Sequence, residues 1–159
     1  MTVQKNVTLS TDGACIVNPG PGGWACVLRY ENYIGEMFGC NADSTNNRME
    51  LQAVIEGLKI LRQPCAVTIR TDSQYVQRAV TEWLASWKAA GWRKSKSSRG
   101  SRRVLNQDLW MQLDKLLASH NVRWQWVKGH ADDTDNKRCD FLANRAAREQ
   151  IASKGIIRL

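Results

Sequence analysis

The stretch AVTIRTD, residues 66–72, decides how this chain folds. Val67, Ile69 and Thr71 point to one side of an extended strand and Thr68, Arg70 and Asp72 to the other, the alternation of a strand with one buried face. Just before it, Leu51, Val54, Ile55, Leu58 and Leu61 recur at helical spacing, in a pattern that begins near Thr45 and stops at Gln63-Pro64. A strand reached through a helix pairs parallel with an earlier strand. Three earlier runs offer themselves: VTLSTDGACIV (7–17), GGWACVLRY (22–30) and YIGEMFGC (33–40), joined by short, turn-rich links that predict an antiparallel meander. A meander plus a parallel strand makes a mixed sheet.

Downstream, helical patterns run through SQYVQRAVTEWLASWK (73–88) and LNQDLWMQLDKLLASH (105–120), then a fifth strand, VRWQWVKG (122–129), and a last helix, CDFLANRAAREQI (139–151). The expectation is one α/β domain over 1–159, a five-stranded mixed sheet flanked by helices, with a core of about 7–147 and a C-terminal tail of about 151–159. There is no internal repeat and no interdomain linker. A content of 43% hydrophobic and 24% charged residues excludes global disorder. No run nears the ~18 apolar residues of a membrane span, and MTVQKNVTLS lacks the apolar core of a secretory signal, so a cytoplasmic protein with no membrane partner is expected. Five cysteines, odd in number and without a C-x-x-C pair, argue against a disulfide framework and a zinc site and read as small buried hydrophobes.

The net charge of +8 is unevenly spread. KAAGWRKSKSSRGSRR (88–103) carries Lys88, Arg93, Lys94, Lys96, Arg99, Arg102 and Arg103 without one acidic residue. Such a segment is either a solvated loop or a contact for a polyanion, since neutralising phosphates releases counterions without reading sequence.

Asp72 has a counterpart. VTLSTDG (7–13), about sixty residues earlier, ends its alternation on Asp12, on a sheet face where aspartate is normally depleted. Two strands thus deliver a carboxylate in the same phase. Glu50, in TNNRMEL, lies in the first turns of its helix beside Leu51 and Val54, and Asp140, in NKRCDFLAN, sits early in the last helix; each alone also reads as an ordinary charge near a helix N-terminus. Four carboxylates held together repel one another unless a cation neutralises them. Mg²⁺ suits all-oxygen ligands, and two such ions about 4 Å apart activate water and stabilise the leaving oxygen in phosphodiester hydrolysis. ADDTDN (131–136) lacks the calcium-loop pattern and reads as a polar loop entering the last helix. His130, in VKGH, reads either as a structural histidine or, beside a metal-carboxylate site, as a proton shuttle to the leaving oxygen.

TDGACIVNPGPGGWA, TNNRMEL, TDSQYV, VKGH and NKRCDFLAN stand in the order and spacing of one family. The chain closely resembles bacterial type 1 ribonuclease H (ribonuclease HI), from about residue 7 to residue 147. The resemblance implies the ribonuclease H-like fold and endonucleolytic hydrolysis of the RNA strand of an RNA/DNA hybrid, leaving 5′-phosphate and 3′-hydroxyl ends. It implies a monomer with no obligate protein partner, and two Mg²⁺ held by Asp12, Glu50, Asp72 and Asp140, with Mn²⁺ able to substitute. His130 matches the family's histidine on a flexible loop. Asn18, Asn46, Asn47 and Gln74 match positions lining the nucleic-acid groove, and Thr45 with Asn106 matches a pocket for a DNA-strand phosphate. The basic segment, with Arg93, Lys94, Lys96 and Arg99, matches a protruding handle that follows a helix bearing Trp83 and Trp87.

Alternatives remain beside these assignments. Val76, Val80, Trp83, Leu84 and Trp87 form a helical stripe, so the two indoles are either core or groove wall; Trp124 and Trp126, alternating with Val122, read as core. Asp43 stands where some relatives carry an arginine that helps hold phosphate; it is expected to turn outward. Rival functions are another nuclease of the same superfold, exonuclease or transposase-like, and an inactive nucleic-acid-binding module. The second would have lost a metal carboxylate, and all four are present.

Overall fold

The computed structural model describes residues 3–93, 103–129, 132–151 and 154–158. The meander forms as β1 (Lys5–Cys15), β2 (Gly20–Tyr30) and β3 (Tyr33–Ser44), each strand antiparallel to the next. Helix α1 (Asn46–Lys59) starts where the Thr45 hydroxyl accepts the Arg48 amide at 3.2 Å, a side-chain cap on a donor the helix itself cannot satisfy. It leads into β4 (Cys65–Thr71), which lies parallel to β1 with Val7 opposite Val67 and Ser10 opposite Arg70. The expected parallel strand is there.

Helical structure resumes at α2 (Gln74–Arg78), passes through a π-helical turn (Ala79–Trp83) and continues as α3 (Leu84–Ala89). After α4 (Gln107–Ala118), β5 (Asn121–Trp126) pairs parallel with β4. Helix α5 spans Thr134–Glu149 and so begins five residues before the expected start at Cys139. Its start was hidden because ADDTDN has no apolar period; Asp133 caps it instead, accepting the Asn136 amide at 3.0 Å. A short β6 (Lys154–Arg158) in the expected tail adds a sixth strand, antiparallel to β3, giving the order β5-β4-β1-β2-β3-β6. The five expected strands are thus a mixed sheet with one extra edge.

Alternation on the strands supplies two cores. Val7, Leu9, Val67 and Ile69 are buried against Leu51, Val54, Ile55 and Leu58 of α1 and Trp110 and Leu113 of α4. On the opposite face Ala25, Val27 and Phe38 meet Cys139, Leu142, Ala143 and Ala146 of α5. The α5 side chains are small for a reason: a Cβ on Gly23 would lie 2.2 Å from the Ala143 carbonyl oxygen, so β2 and α5 touch through their backbones. Of the five free cysteines, Cys26, Cys65 and Cys139 are buried as expected, whereas Cys15 and Cys40 are partly exposed. Both lie near the strand ends beside the start of α1, where the sheet runs out from under its cover. No helix among the described residues is long and apolar enough to cross a membrane.

Candidate active site

The two strand motifs that end in aspartate lie side by side and in register. Thr8 pairs with Thr68, Leu9 with Ile69 and Ser10 with Arg70, so Asp12 on β1 comes level with Asp72, the residue after the last of β4. The sixty-residue offset between the motifs is the pairing register itself.

Glu50 joins them from α1. The first turn of α1 comes down onto β1 at Gly13, where a Cβ would lie 2.4 Å from the Glu50 nitrogen and 2.4 Å from the Met49 carbonyl carbon. Glycine alone permits that approach. One carboxylate oxygen each from Asp12, Glu50 and Asp72 then falls within 4.8 Å of the others. Burial pushes the Asp12 carboxyl up to about 7; the charges of Asp72 and Asp140 add to it, against bonds from Glu50 and the Gly13 amide. Burial, then the charge of Asp12, likewise holds Glu50 well above the ordinary glutamate range. Glu50 Oε2 is buried with no hydrogen-bond partner. Converging carboxylates with an orphaned oxygen form a ligand set that fits a hard divalent cation.

Asp140 reaches the group from α5 and stands outside the three-carboxylate set, although its charge bears on Asp12. It lies well inside the helix, not at its start, which removes the reading of a simple N-terminal charge. The neighbouring Cys139 thiol donates to the Ser10 carbonyl at 3.3 Å. Ion pairs tie the first turns of α5 to three strands: Arg29 to Asp135 at 2.6 Å, Glu36 to Arg138 at 2.9 Å, and Arg70 to Asp133. Two acids of the run 131–136, Asp133 and Asp135, are thereby explained as anchorage, both being paired.

The family model described as RNase H matches residues 4–148. The chain belongs to the ribonuclease H family. It is an enzyme family of hydrolases, and its curated bacterial members resemble this chain along nearly its whole length. The ribonuclease H of Solibacter usitatus is 52% identical over 150 residues, covering 94% of this chain and 100% of that protein. The ribonuclease HI of Neisseria meningitidis is 50% identical over 145 residues, covering 91% and 97%. Among solved structures, LC9-RNase H1, a type 1 RNase H with the type 2 active-site motif, superposes with a TM-score of 0.83 at 26% identity, covering 97% of this chain and 79% of that one. LC11-RNase H1, solved in complex with an RNA/DNA hybrid, shares the fold at a TM-score of 0.65 and 21% identity, covering 90% and 97%.

The remaining residues expected from the resemblance fall into three groups. Asn18 and Asn46 are linked: the Asn46 amide donates to Asn18 Oδ1 at 3.2 Å, and Asn46 Oδ1 accepts the Cys15 amide at 2.8 Å, tying the β1–β2 loop to the start of α1. Asn47 is half-buried and Gln74 exposed at the start of α2. Thr45 and Asn106 are brought together through Arg48. Its backbone is capped by Thr45, and its guanidinium donates to Asn106 Oδ1 at 3.3 Å and to both oxygens of Asp108 at 2.9 and 2.7 Å. Asp43 is exposed at the end of β3.

Trp87 is a core residue, 9% exposed, with its ring 5.8 Å from that of Trp110. As a groove wall it is corrected, because the helical stripe places it under α4. Trp83 is half-buried, packed on Trp87 and overlaid by Arg78. Trp124 and Trp126 are half-buried against the main core and stacked on each other at 5.2 Å. Of the basic segment, Lys88 pairs with Asp114 at 3.0 Å and Arg93 faces Arg103 across an isolated bridge. Lys94, Lys96, Arg99 and Arg102 lie outside the described residues, as does His130.

Sequence reasoning overlooked Gly13, Arg48, Tyr75 and Asp108. Tyr75 accepts from Asn106 Nδ2 at 3.1 Å and from the Trp110 indole at 2.9 Å, fixing the left-handed residue that begins α4. Gly13, Arg48 and Tyr75 were signalled only by their place inside the motifs TDG, TNNRMEL and TDSQYV, and Asp108, in NQDLW, by none of them.

Proposed function

We propose that this enzyme cleaves the RNA strand of RNA/DNA hybrids endonucleolytically, as a cytoplasmic monomer, with two Mg²⁺ held by Asp12, Glu50, Asp72 and Asp140. Mn²⁺ is expected to substitute. The observation that carries it is the convergence of Asp12, Glu50 and Asp72 within 4.8 Å in a chain of the ribonuclease H family. The bound cations supply a water acidified toward neutrality and neutralise the charge that builds on the phosphate.

The chain's own residues do the rest. Burial pushes Asp12 up to about 7 and holds Glu50 well above the ordinary glutamate range, so a cation taken up here displaces protons from the pair. Asp72 from the end of β4 and Asp140 from α5 complete the oxygen set. The scissile P–O3′ bond breaks as water adds to phosphorus, giving a 5′-phosphate and a 3′-hydroxyl, and His130 passes the proton to the leaving oxygen. Asn18, Asn46, Asn47 and Gln74 offer amides to the minor groove, where 2′-hydroxyls distinguish RNA from DNA. Thr45 and Asn106, joined by Arg48, receive a phosphate of the DNA strand. Trp83 adds a half-buried indole, and Arg93, Lys94, Lys96 and Arg99 add sequence-independent affinity. The neighbour solved in complex with an RNA/DNA hybrid supports this choice of substrate.

Strand-labelled hybrid, RNA duplex and DNA duplex, each with and without Mg²⁺, test the proposal. Mg²⁺-dependent cleavage of the RNA strand of the hybrid alone is expected. Efficient cleavage of plain duplex DNA would overturn it in favour of an exonuclease or transposase-like activity, and binding without cleavage in favour of an inactive module.

A further inference from the structure

Two acidic side chains at the start of α5 are held by arginines, and Asp140, further along the helix, is not. Asp133 has Arg70 and Asp135 has Arg29, while the helix's own Arg138 holds Glu36. Asp140 is held by a neutral group instead: Asn144 Nδ2, one turn on, donates to Asp140 Oδ1 at 3.1 Å and to its carbonyl oxygen at 2.9 Å. Both residues are half-buried on the α5 face that looks toward β1. Asparagine inside a helix costs about 0.7 kcal/mol relative to alanine, and here it stands far from either cap, where it has no capping role to offset that cost.

We propose that Asn144 is a positioning residue for Asp140: its side-chain amide holds Oδ1 so that Asp140 waits just outside the set of Asp12, Glu50 and Asp72 with its negative charge undiminished. An arginine in that place would fix the carboxylate equally well, but it would cancel the charge and compete with the cation as a permanent counter-ion. A neutral donor fixes the direction and leaves the charge to the metal, as outer partners of metal ligands generally do. Among the described residues Oδ2 makes no hydrogen bond, so this oxygen is the one turned over to a cation. The proposal rests on Asp140 being a metal ligand.

The test uses the full chain. With ¹⁵N labelling, the Asn144 side-chain amide resonances should move as Mg²⁺ is titrated in the presence of a non-cleavable hybrid; resonances that stay fixed through saturation overturn the proposal without need of any variant. Asn144→Leu removes the donors at similar volume. Calorimetric Mg²⁺ affinity should fall on the order of tenfold, and the half-saturating Mg²⁺ for cleavage should rise in parallel while the KM for hybrid does not. Asn144→Gln, whose longer amide still reaches a carboxylate one turn away, should recover most of that loss. Unchanged Mg²⁺ affinity in Asn144→Leu, with Asp140→Asn weakened, overturns the role of Asn144 alone. Wild-type Mg²⁺ binding and cleavage in Asp140→Asn overturns the underlying reading of Asp140 as a ligand, and the proposal with it.

Discussion

Gly13 meets the backbone of Glu50 at a distance that only glycine at position 13 allows: a Cβ on Gly13 would sit 2.4 Å from the Glu50 nitrogen. The contact sets how deep the first turn of α1 settles on β1, and so whether the Glu50 carboxylate reaches Asp12. Gly13→Ala is therefore expected to cost about 1–3 kcal/mol of stability through overpacking. It should also raise the Mg²⁺ needed for cleavage, because the turn can only relieve the clash by lifting Glu50 away. Urea unfolding together with a metal titration checks both; loss of stability with an unchanged metal requirement would refute the coupling.

Without metal, the site opposes folding. The Asp12 carboxyl is raised from its ordinary value of 3.8 to about 7, chiefly by burial, so between about pH 4 and 7 the folded chain holds a proton that the unfolded chain has lost. The stability this contributes is complete below the unfolded value and is lost as pH rises through 7. Metal-free protein should lose on the order of 2 kcal/mol from this source between pH 5 and pH 8. Asp12→Asn should flatten that slope and be more stable than wild type at pH 8. Mg²⁺ should raise the Tm of the wild type and leave that of Asp12→Asn nearly unmoved. Thermal scans at the two pH values decide it.

Asp72→Asn should abolish cleavage while hybrid binding largely persists, since phosphate contacts elsewhere supply the affinity. His130→Ala should differ in kind: a proton shuttle is helpful where a ligand is required, so a loss on the order of 10²-fold or less is expected, with Mg²⁺ affinity unaltered. Single-turnover rates and calorimetry separate the two, and equal inactivity of both variants would remove His130 from the proton-transfer role.

The paired tryptophans should part company. Trp87→Ala empties a site that is 9% exposed, with an expected cost of about 3–5 kcal/mol and little change in KM at a temperature where the variant stays folded. Trp83→Ala removes a half-buried ring and should raise the KM for hybrid at a smaller stability cost. A Trp87 variant of normal stability but weak hybrid binding would restore it to the groove.

Asp43 is exposed, so Asp43→Arg should change the Michaelis constant little even at low salt. A several-fold decrease that fades as salt rises would mean that this carboxylate faces the phosphate after all.

The sequence by itself determined the sheet and two of the carboxylates. VTLSTD and VTIRTD share one alternation, and because parallel strands pair residue by residue, like motifs sixty residues apart came to rest side by side with their aspartates level. Periodicity marked the meander and the helices for the same reason: burying one face is a local pattern. Contacts set by packing were not legible in that way. Whether Glu50 and Asp140 come near Asp12 depended on where α1 and α5 land, which Gly13, Gly23 and the arginine pairs of three strands decide. The start of α5 lay in an acidic run without apolar period, and β6 exists only because the edge of β3 was there to pair with it. Trp87 was core or groove wall until α4 covered it. Only the tertiary structure decided these, because each depends on how closely two separately formed elements can approach, and a linear pattern carries no record of that distance.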